Sequence, residues 1–260
     1  MKSKLKIIAL IFFLIATYSY CHADIKFKTI KKKECENNDL DKNNVMGIDL
    51  GLNNLAACAT KSDSFLINGK PLKSINQFYN KEKAKLQTEL PKNKHNSNQI
   101  LRLTDKRNNK INDYLHKSSN FIIKYCLTND IGKLIIGKND GWKQNINLGK
   151  RNNQNFVQIP FNKLIHQLKY KGELVGIDVE TTEESYTSKC SFIDNESMVK
   201  QKHYCGKRIK RGLFKTKSGK LINADINGAL NIIRKVVSNF NSTLIDGIEG
   251  VVVHPLLVTI

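Results

Sequence analysis

Two carboxylates stand where carboxylates are seldom found. Asp49 interrupts the apolar run V-M-G-I-D-L-G of residues 45–51, and Asp225 heads the periodic stretch L-I-N-A-D-I-N-G-A-L-N-I-I-R-K of residues 221–235. A charge is hardly ever fully buried without a partner, so Asp49 must point into a wet site or hold a cation. Asp225 falls in a first helical turn, where a carboxylate suits the positive end of the helix, and Asn223 fits the N-cap. If that strand and that helix meet, the two carboxylates repel one another unless divalent cations neutralise them. A pair of Mg²⁺ ions about 4 Å apart in such a cluster activates a water and stabilises the leaving oxygen in phosphodiester cleavage. A centre of this kind takes at least three carboxylates.

The elements that must position these groups are legible from periodicity. In the stretch carrying Asp225, Ile226, Leu230 and Ile233 follow the spacing of one buried helix face, and Ala224 and Ala229 permit close packing. Asn227 and Asn231 share the face of Asn223; they read as support for the site, as phosphate contacts, or as a solvated face. Residues 45–68 predict three short strands with a turn at Asn53-Asn54. A helix is expected over 73–89, closed by Pro91, then a polar link over 93–98. The next helix, 99–128, has the apolar stripe Ile100, Leu103, Ile111, Leu115, Ile122 and Tyr125 and a basic first half, Arg102, Lys106, Arg107 and Lys110. A buried strand follows at 133–137, a helix at 161–170 and a strand at 174–179. Residues 190–223 hold few apolar side chains and read as an insertion. The tail, 239–260, ends in V-V-V-H-P-L-L-V, a strand or strap that must dock on the core. Strands joined by tight turns, then alternation with helices, predict an α/β fold with a mixed sheet flanked by helices.

Composition narrows the partner. The 260 residues include 43 Lys plus Arg against 23 Asp plus Glu, a net charge of +20, and a hydrophobic fraction of 40% that can fill a core. Such a surplus points to a polyanion, nucleic acid above all, with salt-dependent binding. Two stretches concentrate the signal. Lys138 to Asn155 surround Trp142 with Lys143, Lys150, Arg151 and many amides, which suits backbone contact plus base stacking, or a Trp that anchors the loop. Lys207, Arg208, Lys210 and Arg211 form a basic run within the insertion, a phosphate-contacting patch. None of the six cysteines forms a knuckle of two to four intervening residues; Cys58 and Cys126 lie in apolar runs and read as buried thiols. The N-terminus has Lys2, Lys4 and Lys6, an apolar run from Ile7 to Ala16 and Cys21-His22-Ala23, the pattern of a secretory signal peptide.

The motifs taken together resemble the C-terminal half of TnpB-type (OrfB) transposon-encoded proteins, relatives of type V CRISPR effectors. The matching pieces are G-I-D-L-G-L-N-N-L-A, G-K-N-D-G-W-K-Q-N, N-N-Q-N-F-V-Q-I-P-F, E-E-S-Y-T-S-K-C-S-F, G-K-R-I-K-R-G-L-F and I-N-A-D-I-N-G-A-L-N-I, from about Val45 onward. The resemblance implies a RuvC-like nuclease domain of RNase H fold over 45–260, after a signal-like segment, 1–23, and a linker, 24–44. It implies Mg²⁺- or Mn²⁺-dependent cleavage of DNA, guided in the family by RNA, with DNA and a guide RNA as partners and no stable membrane partner. Asp49 and Asp225 match two of the family's catalytic carboxylates. The remaining one, a Glu after the fourth strand, is replaced by Gly137-Lys138-Asn139; Glu184 is the preferred substitute, with Glu183 and Asp140 as alternatives. The family's zinc ribbon has two C-x-x-C knuckles, whereas the insertion here, about 185–222, keeps Cys190 and Cys205, so no structural zinc is expected. The family's N-terminal recognition half has no counterpart, so the chain reads as truncated, and an inactive remnant that only binds nucleic acid is the alternative function. A cytoplasmic location follows if the signal-like segment is fortuitous, and export otherwise. G-I-D-L-G also fits the phosphate loop of sugar-kinase or actin-like ATPases, but the second Asp-Gly-rich turn and the glycine-rich adenosine site are missing.

Overall fold

The computed structural model describes residues 39–138, 159–244 and 247–260. These lie in one compact unit that spans Cys35–Ile260. The signal-like segment, Asp140, Trp142, Lys143, Lys150 and Arg151 all fall outside the described residues.

Strand β1 (Val45–Leu50) governs the architecture because its two faces do different work. Successive side chains of a strand point to opposite faces. Met46, Ile48 and Leu50 therefore enter one core, while Val45 enters a second core on the other side of the sheet. Strands β2 (Asn54–Ala59) and β3 (Ser64–Asn68) follow as an antiparallel meander. Strand β4 (Lys133–Gly137) adds parallel to β1, and β5 (Asp178–Thr182) parallel to β4. With β9 (Leu256–Val258) parallel to β3, the sheet is six-stranded in the order β5-β4-β1-β2-β3-β9.

Helices cover both faces. On the Met46 side lie α1 (Lys70–Thr88), α2 (Asn98–Thr128) and α3 (Phe161–Glu173). Helix α2 opens on Ser97, whose hydroxyl accepts from the Ile100 amide, and buries Ile100, Ile111, Leu115 and Ile122 as its stripe predicts. On the Val45 side lies α4 (Ala224–Val236), whose Ile226, Leu230 and Ile233 are fully buried. It packs with Ala57, Ala59 and Ile135. The mixed sheet between helices is the expected α/β, RNase H-like arrangement.

Four expectations shift. The strand expected over 174–179 starts at Asp178, because α3 continues to Glu173 and the chain then turns through Gly176 at φ +78°. The apolar residues before β5 plug that turn, with Ile177 buried, and the strand itself is a polar edge. The stretch 221–235 is helical only from Ala224, with Asn223 at the N-cap as expected; Leu221–Asn223 forms strand β8, paired with β7 (Leu213–Lys215). With β6 (Lys207–Lys210) they make a separate three-stranded sheet, and the insertion is not merely polar: its Phe192, Phe214 and Ile222 join the second core around α4. In the tail, Ile248–Val253 is a short helix, α5, and the docked strand is β9. Among the described residues no helix is long and apolar enough to cross a membrane.

Gly47 lets α4 sit directly on β1. A Cβ at this position would run into the Ala229 carbonyl oxygen and stand 2.6 Å from Ile233 Cγ1. Gly47→Ala therefore forces strand and helix apart and should cost roughly 1–3 kcal/mol, as overpacking does. A urea denaturation midpoint unchanged from the wild type would contradict that packing.

Candidate active site

The site is built where β1 and β4 end beneath the first turns of α4. Asp49 is on the same face of β1 as Gly47, so it points at the helix. Gly228 faces it: a Cβ there would stand 2.6 Å from Asp49 Oδ2. Glycine inside a helix costs up to about 1 kcal/mol relative to alanine, and here its missing side chain is the space the carboxyl group fills. Asp49 is half-buried, and its carboxyl is walled in by protein atoms. Burial raises its pKa well above the ordinary value, the Glu184 and Asp225 carboxylates raise it further, and Arg208 acts in the opposite direction.

Asp225 stands in the first turn of α4. Asn223 caps the helix, its side-chain oxygen accepting from the amides of Asp225 at 3.0 Å and Ile226 at 3.1 Å. Both Asp225 carboxylate oxygens are engaged: Asn54 Nδ2 donates to Oδ2 at 2.8 Å and Arg208 Nη2 to Oδ1 at 2.7 Å. Asn54 opens β2 and Arg208 lies on β6, so one carboxylate ties the large sheet to the inserted hairpin.

Glu184 follows β5 by two residues. Strand register sets Gly137 opposite Thr182, and a Cβ at Gly137 would stand 2.9 Å from Glu184 Oε2. The Glu184 carboxyl thus fills the space a side chain at position 137 would enter. Burial first, and then the neighbouring Glu183 carboxylate, push its pKa up to about 7, opposed by Lys235. Glu183 points elsewhere, its carboxylate 2.9 Å from Lys235 Nζ.

Asn227 and Asn231 are neither solvated nor available to phosphate. Both are fully buried. Asn231 Nδ2 donates to the carbonyls of Thr187 and Cys190, and Asn227 Nδ2 also donates to Cys190. Asn227 Oδ1 accepts from the Phe192 amide at 2.9 Å. The asparagine stripe therefore fastens to α4 the segment that leaves Glu184. Farther along, the Glu196 carboxylate accepts from the Ser191 and Cys205 amides, each at 2.7 Å, and so joins the two loops that carry Cys190 and Cys205. Those cysteines are free thiols, as are Cys58 and Cys126.

Of the basic run, Lys207, Lys210 and Arg211 are exposed, while Arg208 is spent on Asp225. Three hard oxygen donors of this kind suit a divalent cation in their chemistry. As placed, no group of three or more His, Cys, Asp or Glu among the described residues is close enough to hold a metal ion. Arg208 supplies the positive charge instead. Sequence reasoning missed Gly228, Gly137, Asn54 and the Arg208 contact. A glycine inside a helical pattern was the one usable signal, since it marks a close approach.

Residues 27–143 match a family described as a probable transposase, OrfB_IS605, and residues 161–232 match the Cas12f1-like TNB domain. No curated protein matches. A solved Cas12f1–sgRNA–target DNA complex is similar to 74% of this chain at 20% identity with a TM-score of 0.56. A CRISPR–Cas12f ternary complex is similar to 75% of it at 17% identity with a TM-score of 0.55. At that identity the likeness shows the fold. The chain covers 50% of the first of those proteins and 39% of the second.

The Glu184 environment predicts a pH signature. Its folded-state value, about 7, lies above the ordinary 4.5. Between those values the folded state retains a proton that the unfolded state has released, so stability from this group falls as pH rises and levels off above the window. The loss is on the order of 3 kcal/mol at most. Glu184→Gln should remove this slope in urea titrations from pH 4.5 to 7.5; parallel wild-type and variant profiles would contradict it.

Proposed function

Since the chain is a TnpB-type (OrfB) protein, we propose that it binds nucleic acid and carries a divalent-metal-dependent endonuclease site formed by Asp49, Glu184 and Asp225. The observation that carries this reading is electrostatic: Asp49 sits in a helix-covered pocket where two further carboxylates raise its pKa. Assembling like charges without a function is costly. Mg²⁺ or Mn²⁺ held by the three carboxylates would activate a water and stabilise the leaving oxygen of a phosphodiester.

The chain's own residues do the positioning. Asn54 orients Asp225 through Oδ2. Asn227 and Asn231 hold the backbone that follows Glu184. Arg208 occupies Asp225 Oδ1, and because both partners are partly exposed the pair is worth about 1 kcal/mol or less. A divalent cation would displace so weak a competitor, leaving Arg208 beside Lys207, Lys210 and Arg211 to meet a phosphate. DNA is the proposed substrate. A guide RNA is the further proposed partner, since the similar Cas12f1 complex holds sgRNA and target DNA. The Arg208–Asp225 pair also favours a second reading, in which the chain binds nucleic acid without cutting it.

A cleavage assay on single-stranded DNA with Mg²⁺ or Mn²⁺ separates the two. Cutting that is abolished by Asp225→Ala supports the nuclease; equal activity in that variant overturns the site. Salt-sensitive binding without cutting would favour the binding-only reading. In calorimetric titrations Arg208→Ala should tighten Mn²⁺ binding by up to about fivefold, the worth of the lost competitor. Unchanged affinity would show that Arg208 does not compete for the site.

A further inference from the structure

We propose that the cleft between α1 and α2 is a base-stacking subsite for single-stranded nucleic acid, separate from the carboxylates; this rests on the nucleic-acid reading above. The cleft has a volume of about 310 Å³ and is lined by Ile75, Phe78, Tyr79, Leu103 and the cations Lys106, Arg107 and Lys110, with no acidic side chain in its wall. Phe78 is 61% exposed. A solitary exposed apolar residue is ordinary, but an aromatic set in an apolar cleft under three cations is the combination that single strands use. Bases of any identity stack on the ring while phosphates meet the lysines. A folded polypeptide would need acidic groups for those three cations, whereas every nucleotide brings its own charge.

The cleft is ordered in advance. Arg107 Nε donates at 2.8 Å to Asn76 Oδ1, and Asn76 is fully buried. The Arg107 guanidinium lies 5.6 Å from the centroid of the Tyr79 ring, whose hydroxyl is 3.1 Å from Thr104 Oγ1. Both flat groups are therefore held before any ligand arrives, which lowers the entropic cost of binding.

Lys73 places a further cation at the start of α1, near the inserted hairpin. Lys73, one residue before the lining Ser74, lies within the electrostatic reach of Arg211 and Lys70. Its Nζ donates at 2.6 Å to Asn53, the neighbour of Asn54, which bonds Asp225. Lys73 and Phe78 are about 7.5 Å apart along the helix axis and about 140° apart around it, so Lys73 lies outside the cleft that Phe78 lines.

Fluorescence anisotropy with the full chain tests this, using labelled 20-nucleotide oligo(dT), oligo(U) and a duplex of the same length. Phe78→Ala should weaken single-strand binding about fivefold or more, the loss of one stacked base. Phe78→Trp should retain the affinity, and the duplex should be little affected. Lys106→Ala with Lys110→Ala should flatten the salt dependence by roughly 0.7 per lysine. Whichever oligonucleotide loses more with Phe78→Ala identifies the strand as DNA or RNA. Wild-type affinity in Phe78→Ala, with the parent chain binding well, overturns the cleft alone. A sedimentation change in Phe78→Ala without a loss of affinity overturns it in favour of a protein contact. If the wild type binds neither oligonucleotide, the nucleic-acid reading fails as well.

Discussion

The direct seating of α4 on β1 is the constraint from which the rest of the site follows. Two glycines make it feasible. Gly47 removes the side chain that would hold the Ala229 backbone away from the strand, and Gly228 opens the space that the Asp49 carboxyl fills. With the helix at that depth, its first turn brings Asp225 beside Asn54 at the start of β2. The underside of the helix meanwhile fills the second core with Ile226, Leu230 and Ile233. Packing and charge placement are one arrangement: the helix cannot bury its apolar face without carrying its carboxylate to the sheet.

Placing carboxylates together has an electrostatic consequence that the protein handles in two ways. Asp49 and Glu184 are pushed toward their protonated forms, mainly by burial. Asp225 is neutralised by Arg208, a residue of the inserted hairpin. Surface ion pairs of this kind contribute little, so the hairpin's hold on Asp225 is weak compared with what a divalent cation offers. The insertion is otherwise fastened firmly to α4 through Asn227, Asn231 and Arg234, and braced internally by the Glu196 carboxylate. Its body is fixed to α4 while its arginine rests on a replaceable contact.

Much of the fold was legible in the sequence because burial leaves a periodic trace. The alternation in β1, the stripe of α2 and the underside of α4 each follow from apolar spacing, and Asp49 and Asp225 stood out as breaks in it. The strand β5 was misplaced because its sequence, D-V-E-T-T, is that of a polar edge, while the apolar residues before it plug a turn. Asn227 and Asn231 were ambiguous for a related reason. An asparagine that is buried and satisfied looks, in sequence, like one in water, and the backbone carbonyls it binds lie some forty residues away. The sequence preferred Glu184 for its place just after the fifth strand and left Glu183 and Asp140 as alternatives; in the structure Glu184 lies over Gly137, while Glu183 turns toward Lys235.

The central claim is that Asp49, Glu184 and Asp225 form one cation site whose charge Arg208 supplies when no metal is bound. An anomalous difference map from crystals grown with Mn²⁺ addresses it most directly. The account predicts a manganese peak bounded by the three carboxylates, with the Arg208 guanidinium moved off Asp225. Crystals soaked to saturation that show no peak there, and Arg208 still bonded to Asp225, would contradict it.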